Sequence, residues 1–220
     1  MKKKSAGSVA IMLLVMIYLL IPLVISIIYS LFKKWTGILP EGFSIGNYTS
    51  LFSDPNFLAS VGRSVGMCIV PILLTIVIVL LALFVTTIYF PKLEKYVQII
   101  CMIPYTIQGV ILSVSILSLY VGTKSVLSNR MVMLMGAYCI VILPYIYQGI
   151  RNGMRAVNMV TLIEAAEMLG ASKIYAFFRV VVPNILSAII VSSLLAVGII
   201  FGDYVLIRNL AGTSAPNMQI

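Results

Sequence analysis

Six acidic residues and no histidine leave this sequence little with which to do covalent chemistry. Cys68, Cys101 and Cys139 each lie inside a separate apolar run, so zinc sites, disulfide frameworks and Cys/His nucleophiles have no material. They read as small apolar packers. No catalytic residue is nominated, because the apolar runs hold neither paired carboxylates nor a nucleophile with a base, and a membrane enzyme is the weakest reading. Gly122-Thr-Lys-Ser125 has the tail of a phosphate-binding loop but lacks its first glycine, its Gly-Lys pair and a preceding strand, so the chain is expected to bind no nucleotide itself. Two other chemistries stay open. Residues 161–183 form the only long stretch that mixes Glu164, Glu167, Lys173 and Arg179 with helical apolar spacing, the pattern of a surface gripped from outside the membrane. Asp203 closes an uncharged run between Phe201 and Tyr204. A carboxylate there is costly in lipid and so faces protein or water. It attracts a cationic amine, with cation–π support from Phe201 and Tyr204, or it caps a helix or pairs with Arg208.

The elements that position these groups are membrane helices. The chain has 220 residues, 61% hydrophobic and 10% charged, with a mean hydropathy of +1.13. No ordinary soluble domain has that composition. About 20 apolar residues cross a bilayer core, and five runs qualify, over 9–32, 64–90, 96–123, 131–150 and 180–202. The expected fold is therefore an all-α polytopic transmembrane helix bundle, one transmembrane domain over 1–220 with a loop at 151–179. The first run follows Lys2, Lys3 and Lys4 but continues past Pro22 to bulky Leu31 and Phe32, so it is read as an uncleaved span and not as a signal peptide. Residues 33–63 are polar and turn-rich, with Trp35 at the interface.

Pro104 and Gly109 fall inside the third run. Irregular backbone in a membrane survives only where protein buries it or it lines a cavity, which nominates 104–109 for a solute pathway. A kink that serves packing alone is the alternative. Gly149 with Gly153, and Gly198 with Gly202, have the spacing that lets helix backbones approach. The net charge of +9 comes from basic residues spread over loops and not from a stripe, so membrane lipid is the partner and nucleic acid is not. With the N-terminus inside, Lys2, Lys3, Lys4, Lys92, Lys95, Arg151, Arg155, Lys173 and Arg179 lie on the inner side. Lys33, Lys34, Arg63, Lys124, Arg130 and Arg208 lie outside. The excess favours a cytoplasmic N-terminus and a cytoplasmic 151–179 loop.

Within that loop, Thr161 and Glu164 fit a capping box. Leu162, Ala165, Ala166 and Leu169 then form a narrow apolar face with Glu164 and Glu167 off it. Gly170 ends the helix and Ser172 caps a second one carrying Ile174, Phe177, Phe178 and Val181. Pro183 suits the first turn of the next segment.

The pattern Glu164-Ala165-Ala166, Gly170, Val180, Val182, Pro183 resembles the cytoplasmic signature of binding-protein-dependent ABC importer permeases, with Val where the family prefers Ile and Leu. The resemblance implies a type I importer permease fold. It implies that Glu164, Ala165, Ala166, Gly170 and Ala171 belong to a coupling helix docking into a cytoplasmic ABC ATPase subunit, the ATP being bound by that partner and no cofactor by this chain. A second permease subunit and an extracellular solute-binding protein are the other implied partners, in the cell (inner) membrane. The family closes with a sixth span that this sequence is expected to lack. Phe201-Gly-Asp-Tyr-Val205 with Leu210-Ala-Gly212 is similar to spermidine/putrescine-type permeases, which implies a polyamine-type solute. Phosphonate, iron, thiamine, oxyanion or sugar transport remain alternatives. So does a passive channel or scaffold, which leaves the signature spacing unaccounted for.

Overall fold

The computed structural model describes residues 6–34, 41–107, 109–120, 122 and 128–211. Lys2, Lys3, Lys4, Trp35, Lys124 and Gly212 lie outside the described residues. The chain divides into two compact units, Met1–Ala59 and Ser60–Ile220.

In the first unit, α1 (Ala6–Ser30) is aliphatic on every side, and its side chains from residue 11 to residue 29 are exposed. A helix apolar all round is stable only against lipid or another apolar surface. The turn-rich stretch after it is ordered in part. Strand β1 (Phe32–Lys34) pairs antiparallel with β2 (Glu41–Phe43), placing Phe32 opposite Phe43 with their rings edge-on at 5.9 Å. Helix α2 (Gly46–Ser53) is clamped to the end of α1, since Asn47 Nδ2 donates to the carbonyls of Ser30 (3.3 Å) and Phe32 (3.2 Å).

Helix α3 (Pro55–Ile88) begins well before the expected Ser64. Asp54-Pro55 is a helix start and not turn punctuation: Asp54 Oδ1 accepts the Asn56 N–H at 2.9 Å, and proline at the first position forfeits no helical bond. In the second unit α6 (Arg130–Ala156) is the hub. Asn129 caps it by accepting the Met131 N–H at 2.9 Å, and Leu134, Ala137, Tyr138, Ile142, Ile146 and Ile150 recur on one face, each at most 1% exposed. The helix continues past Arg151, where a loop is expected. Arg151 and Arg155 mark the edge of the apolar environment, and charge does not end a helix.

After a tight turn at Pro91–Leu93, α4 (Glu94–Met102) runs into a second tight turn at Ile103–Thr106, and α5 (Gly109–Tyr120) departs at 100° to it. The expected third span is thus two arms around Pro104. The chain beyond α6 forms α7 (Met159–Met168) and α8 (Lys173–Ala176). A wide π-type turn over Phe177–Val181 and α9 (Val182–Asn184) lead, through a bend of 65°, into α10 (Leu186–Gly202). Pro183 has no N–H for the helical ladder, and Asn184 Nδ2 donates to the Val180 carbonyl at 2.8 Å beside that gap. The long apolar helix therefore starts at Leu186 and not at Val180. Helix α11 (Tyr204–Leu206) and a π-type turn over Ile207–Ala211 follow. Among the described residues α1, α3 and α6 are long and apolar enough to cross a membrane, and five candidate spans result if each bent pair counts as one.

Glycine sets how α6 meets α10. A Cβ on Gly149 would stand 2.5 Å from Ser192 Cβ, and one on Gly153 would stand 2.6 Å from Ala188 Cβ. Gly198 and Gly202, with the same spacing, have nothing within 4 Å of a built Cβ and make no such contact among the described residues.

Candidate functional site

Two places in the second unit carry the polar chemistry. The first is the bent segment from α7 to α8. Asn158, in the left-handed region at φ 49°, precedes α7, a conformation that asparagine tolerates better than most residues. Thr161 consequently stands inside the first helical turn and is not the cap; the Thr161/Glu164 capping box does not form. The end of the helix follows the expected chemistry. Gly170 takes φ 85°, its N–H donates to the Glu167 carbonyl at 2.9 Å, and the Ala171 N–H donates to the Ala166 carbonyl at 3.0 Å. These are the two bonds of a Schellman motif. Ser172 Oγ then accepts the Tyr175 N–H at 3.3 Å and starts α8.

The buried face is not the one expected. Met159 and Ile163 anchor α7, with Leu162 and Ala166 half-buried beside them, while Ala165 and Leu169 face outward with Glu164 and Glu167. Ala176, Phe177 and Val181 anchor the second arm, with the Phe177 ring 4.6 Å from that of Phe84 in α3. Ile174 and Phe178, expected on the same face, are exposed. Beside Glu164 and Glu167 the segment also presents apolar groups outward: Met168 and Leu169 are each 89% exposed at the bend. Sequence reasoning put Leu169 on the apolar face but overlooked Met168, whose signal was a large apolar residue directly before the helix-ending pair. Beneath the segment, Glu94 Oε1 accepts from Arg151 Nη2 (2.7 Å), Arg151 Nε (3.0 Å) and Arg155 Nη2 (3.1 Å), tying the start of α4 to the end of α6.

The second place is where the broken elements meet. Pro104, Gly109 and Asp203 line one cavity of about 200 Å³ together with Tyr105, Tyr145 and Ile199. Asp203 Oδ1 caps α11 by accepting the N–H groups of Val205 (3.1 Å) and Leu206 (3.2 Å). Its Oδ2 is buried with no hydrogen-bond partner among the described residues. Phe201 and Tyr204 do not line this cavity. Phe201 packs half-buried against the core. Tyr204 accepts a short hydrogen bond from Arg208, whose guanidinium also lies 5.6 Å from its ring centre, so Arg208 pairs with Tyr204 and not with Asp203. The aromatic walls of this cavity are Tyr105 and Tyr145, from elements far apart in sequence.

A helical membrane unit, bent at a projecting charged segment and hollowed where its helices break, is the architecture of a type I ABC permease. Residues 93–219 match the family described as binding-protein-dependent transport system inner membrane component, and the chain belongs to that family. Along 203 residues it is 21% identical to the "Putative 2-aminoethylphosphonate transport system permease protein PhnV" of Salmonella typhi, covering 92% of this chain and 76% of that protein. Against the PhnV of Salmonella typhimurium (strain LT2) the figures are 22% over 202 residues, 90% and 75%. The chain is thus a membrane-embedded transport component of a system that has ATPase and binding-protein partners. The spermidine/putrescine resemblance of residues 201–205 finds no support in these relatives.

Proposed function

We propose that this chain is the permease subunit of an ATP-driven importer whose 159–172 segment docks on a cytoplasmic ATPase subunit, and whose Asp203 cavity receives a protonated amine on the solute. The observation that carries the docking reading is the pair Met168 and Leu169, 89% exposed on a bend whose helix end is closed by the Schellman bonds and whose inner side is anchored. Apolar side chains held out on a preformed element make good anchors for a partner's pocket, because little freedom is lost on binding. Glu164 adds a polar contact, Ala165 permits close approach, and Ala166, Gly170 and Ala171 hold the bend by the hydrogen bonds above. A second permease subunit completes the pathway, an extracellular binding protein delivers the solute, and the N-terminus lies in the cytoplasm.

The test is co-purification with the ATPase subunit of the same transport system. Met168→Ala with Leu169→Ala removes no buried contact, so the variant inserts normally and loses the ATPase. Retention of the ATPase by this variant refutes docking through the bend. A stable preparation in which even the parent chain holds no ATPase favours the passive channel or scaffold.

For the solute, the unpartnered Oδ2 of Asp203 supports an amine. The polyamine-type substrate and the 2-aminoethylphosphonate in the relatives' name both carry a protonated primary amine, so the cavity chemistry suits either. Asp203→Asn keeps the cap acceptor and removes the charge. Uptake of 2-aminoethylphosphonate or putrescine, whichever the parent transports, falls by about tenfold or more if an ion pair worth about 1.4 kcal/mol or more is lost. Unchanged uptake assigns Asp203 to capping alone.

A further inference from the structure

The outward faces of the second unit's helices differ in kind. On α3 the exposed positions Ile69, Val70, Leu73, Leu74, Val77 and Ile78 are all apolar, as lipid requires. On α6 the exposed side carries Gln148 and Asn152, one turn apart, and across from it stand Asn184, the last residue of α9, and Ser187 in the first turn of α10. These four line a groove of about 560 Å³ whose floor is the contact of Gly149 with Ser192 and of Gly153 with Ala188. The groove runs from Tyr105 and Tyr145 at one end to Ala156 and Val157, next to the bent segment, at the other.

Asn184 Nδ2 already donates to the Val180 carbonyl at 2.8 Å, but the amides of Gln148 and Asn152 stand exposed, which is costly against hydrocarbon. Gln148 finds only the Met102 sulfur, at 3.5 Å, a weak acceptor. The groove thus has an amide-bearing side on α6 facing an apolar wall of Ile185, Ala188, Val191 and Leu195, and its amide side favours water or a polar solute over lipid. Amides donate and accept alike, so the groove takes a hydrophilic solute of either charge sign. Its volume falls within the usual range of about 300–1,000 Å³ for small-molecule sites, whereas the Asp203 cavity is below it and admits only an end group.

Tyr105 and Tyr145 line both spaces. Their rings meet edge-on with centroids 4.8 Å apart. We infer that the groove between α6 and α10 is the half of the solute path nearest the bent segment, and that the Tyr105–Tyr145 ring pair closes it off from the Asp203 cavity. The inference rests on the transport reading but on no particular solute.

Thiol accessibility tests it in sealed membranes from cells making the whole transporter, with Cys68, Cys101 and Cys139 replaced by alanine. The probe is a charged, membrane-impermeant methanethiosulfonate reagent, added from the side on which Met168→Cys reacts. Asn152→Cys and Ser187→Cys should react at least about tenfold faster than the lipid-facing Leu74→Cys, as water-facing thiols ionise and lipid-facing ones do not. Equal rates show that lipid or a second subunit covers the groove, and overturn the path. Ile199→Cys, in the Asp203 cavity, should stay unreactive from that side. Tyr105→Ala should raise its rate about tenfold by exposing the thiol to water, whereas Tyr105→Phe, which keeps the ring, should not. An unchanged Asn152→Cys rate in Tyr105→Ala certifies the fold. With that certificate, an Ile199→Cys rate that stays low in Tyr105→Ala, or rises equally in Tyr105→Phe, overturns the closure. An unchanged uptake in Asp203→Asn would remove the amine reading and leave this result standing.

Discussion

The bend at Gly170 and the break around Pro104 both interrupt helices, yet they differ in what stands around them. At Gly170 the helix end is closed within a few residues: Glu167 and Ala166 accept from Gly170 and Ala171, and Ser172 accepts from Tyr175. Around Pro104 the Ile107 N–H and Thr106 Oγ1 also meet the Pro104 and Ile103 carbonyls locally, at 3.2 and 2.8 Å, but the space beside the break is walled from afar, by Tyr145 from α6 and Asp203 from beyond α10, and one carboxylate oxygen there stays unmet. A locally satisfied bend keeps its shape when detached from its neighbours and so suits a handle that another protein pushes. A cavity with an unmet polar atom has chemistry left over for a visitor. Glu94 joins the two places, reaching from α4 to Arg151 and Arg155 at the end of α6.

This contrast sorts substitutions by where their damage should appear. The largest effect falls on the long-range side. Gly153→Leu forces a side chain into Ala188, with even its Cβ only 2.6 Å from Ala188 Cβ. Overpacking of this kind costs about 1–3 kcal/mol. Thermal unfolding in detergent should show that loss, and thiol labelling at Ser187→Cys should change because α10 shifts. If Gly153→Leu is as stable as the parent, α6 and α10 are not held by close backbone contact.

Gly170→Val tests the local side. A β-branched residue at φ 85° carries a strain of about 1–2 kcal/mol, and with no heavy atom within 4 Å of a built Cβ the effect is purely conformational. ATPase association and uptake should fall together while labelling of the groove is unchanged. Gly170→Asn, which accepts the left-handed region more readily, should restore most of both. Equal damage from Val and Asn would mean that the site needs the missing side chain and not the backbone conformation.

Legibility from the sequence follows the same division. Gly170 and Ser172 were readable because the donors and acceptors they serve lie within one turn. The signature spacing from Glu164 to Pro183 located the projecting segment for the same reason. Thr161 misled because Asn158, three residues earlier, starts the helix from a left-handed backbone that no local hydroxyl pattern announces. Pro104, Gly109 and Asp203 could each be nominated singly, on the cost of irregular backbone or charge in lipid. Their meeting in one cavity, and the choice of Tyr105 and Tyr145 over Phe201 and Tyr204 as its aromatic walls, depends on how α6 packs between α4 and α10. That packing is written in the small residues at 149, 153, 188 and 192, which spacing alone does not pair; the equally spaced Gly198 and Gly202 make no such contact among the described residues.

The smallest expected effect is also the sharpest check on the local side. Lys173 Nζ lies 3.8 Å from Glu167 Oε1 across the bend, with the two side chains 42% and 37% exposed, and 6.0 Å from the Tyr89 ring centre. A solvent-exposed pair at that distance contributes about 0–1 kcal/mol, and usually the lower half of that range. Lys173→Ala should therefore lower unfolding stability by about 0.5 kcal/mol or less, leave ATPase association unchanged, and lose even that small effect in high salt. A larger, salt-sensitive loss would mean that side-chain charges hold the bend closed. Gly170 would then be a permissive residue and not the determinant, and the handle could be loosened by ionic strength alone.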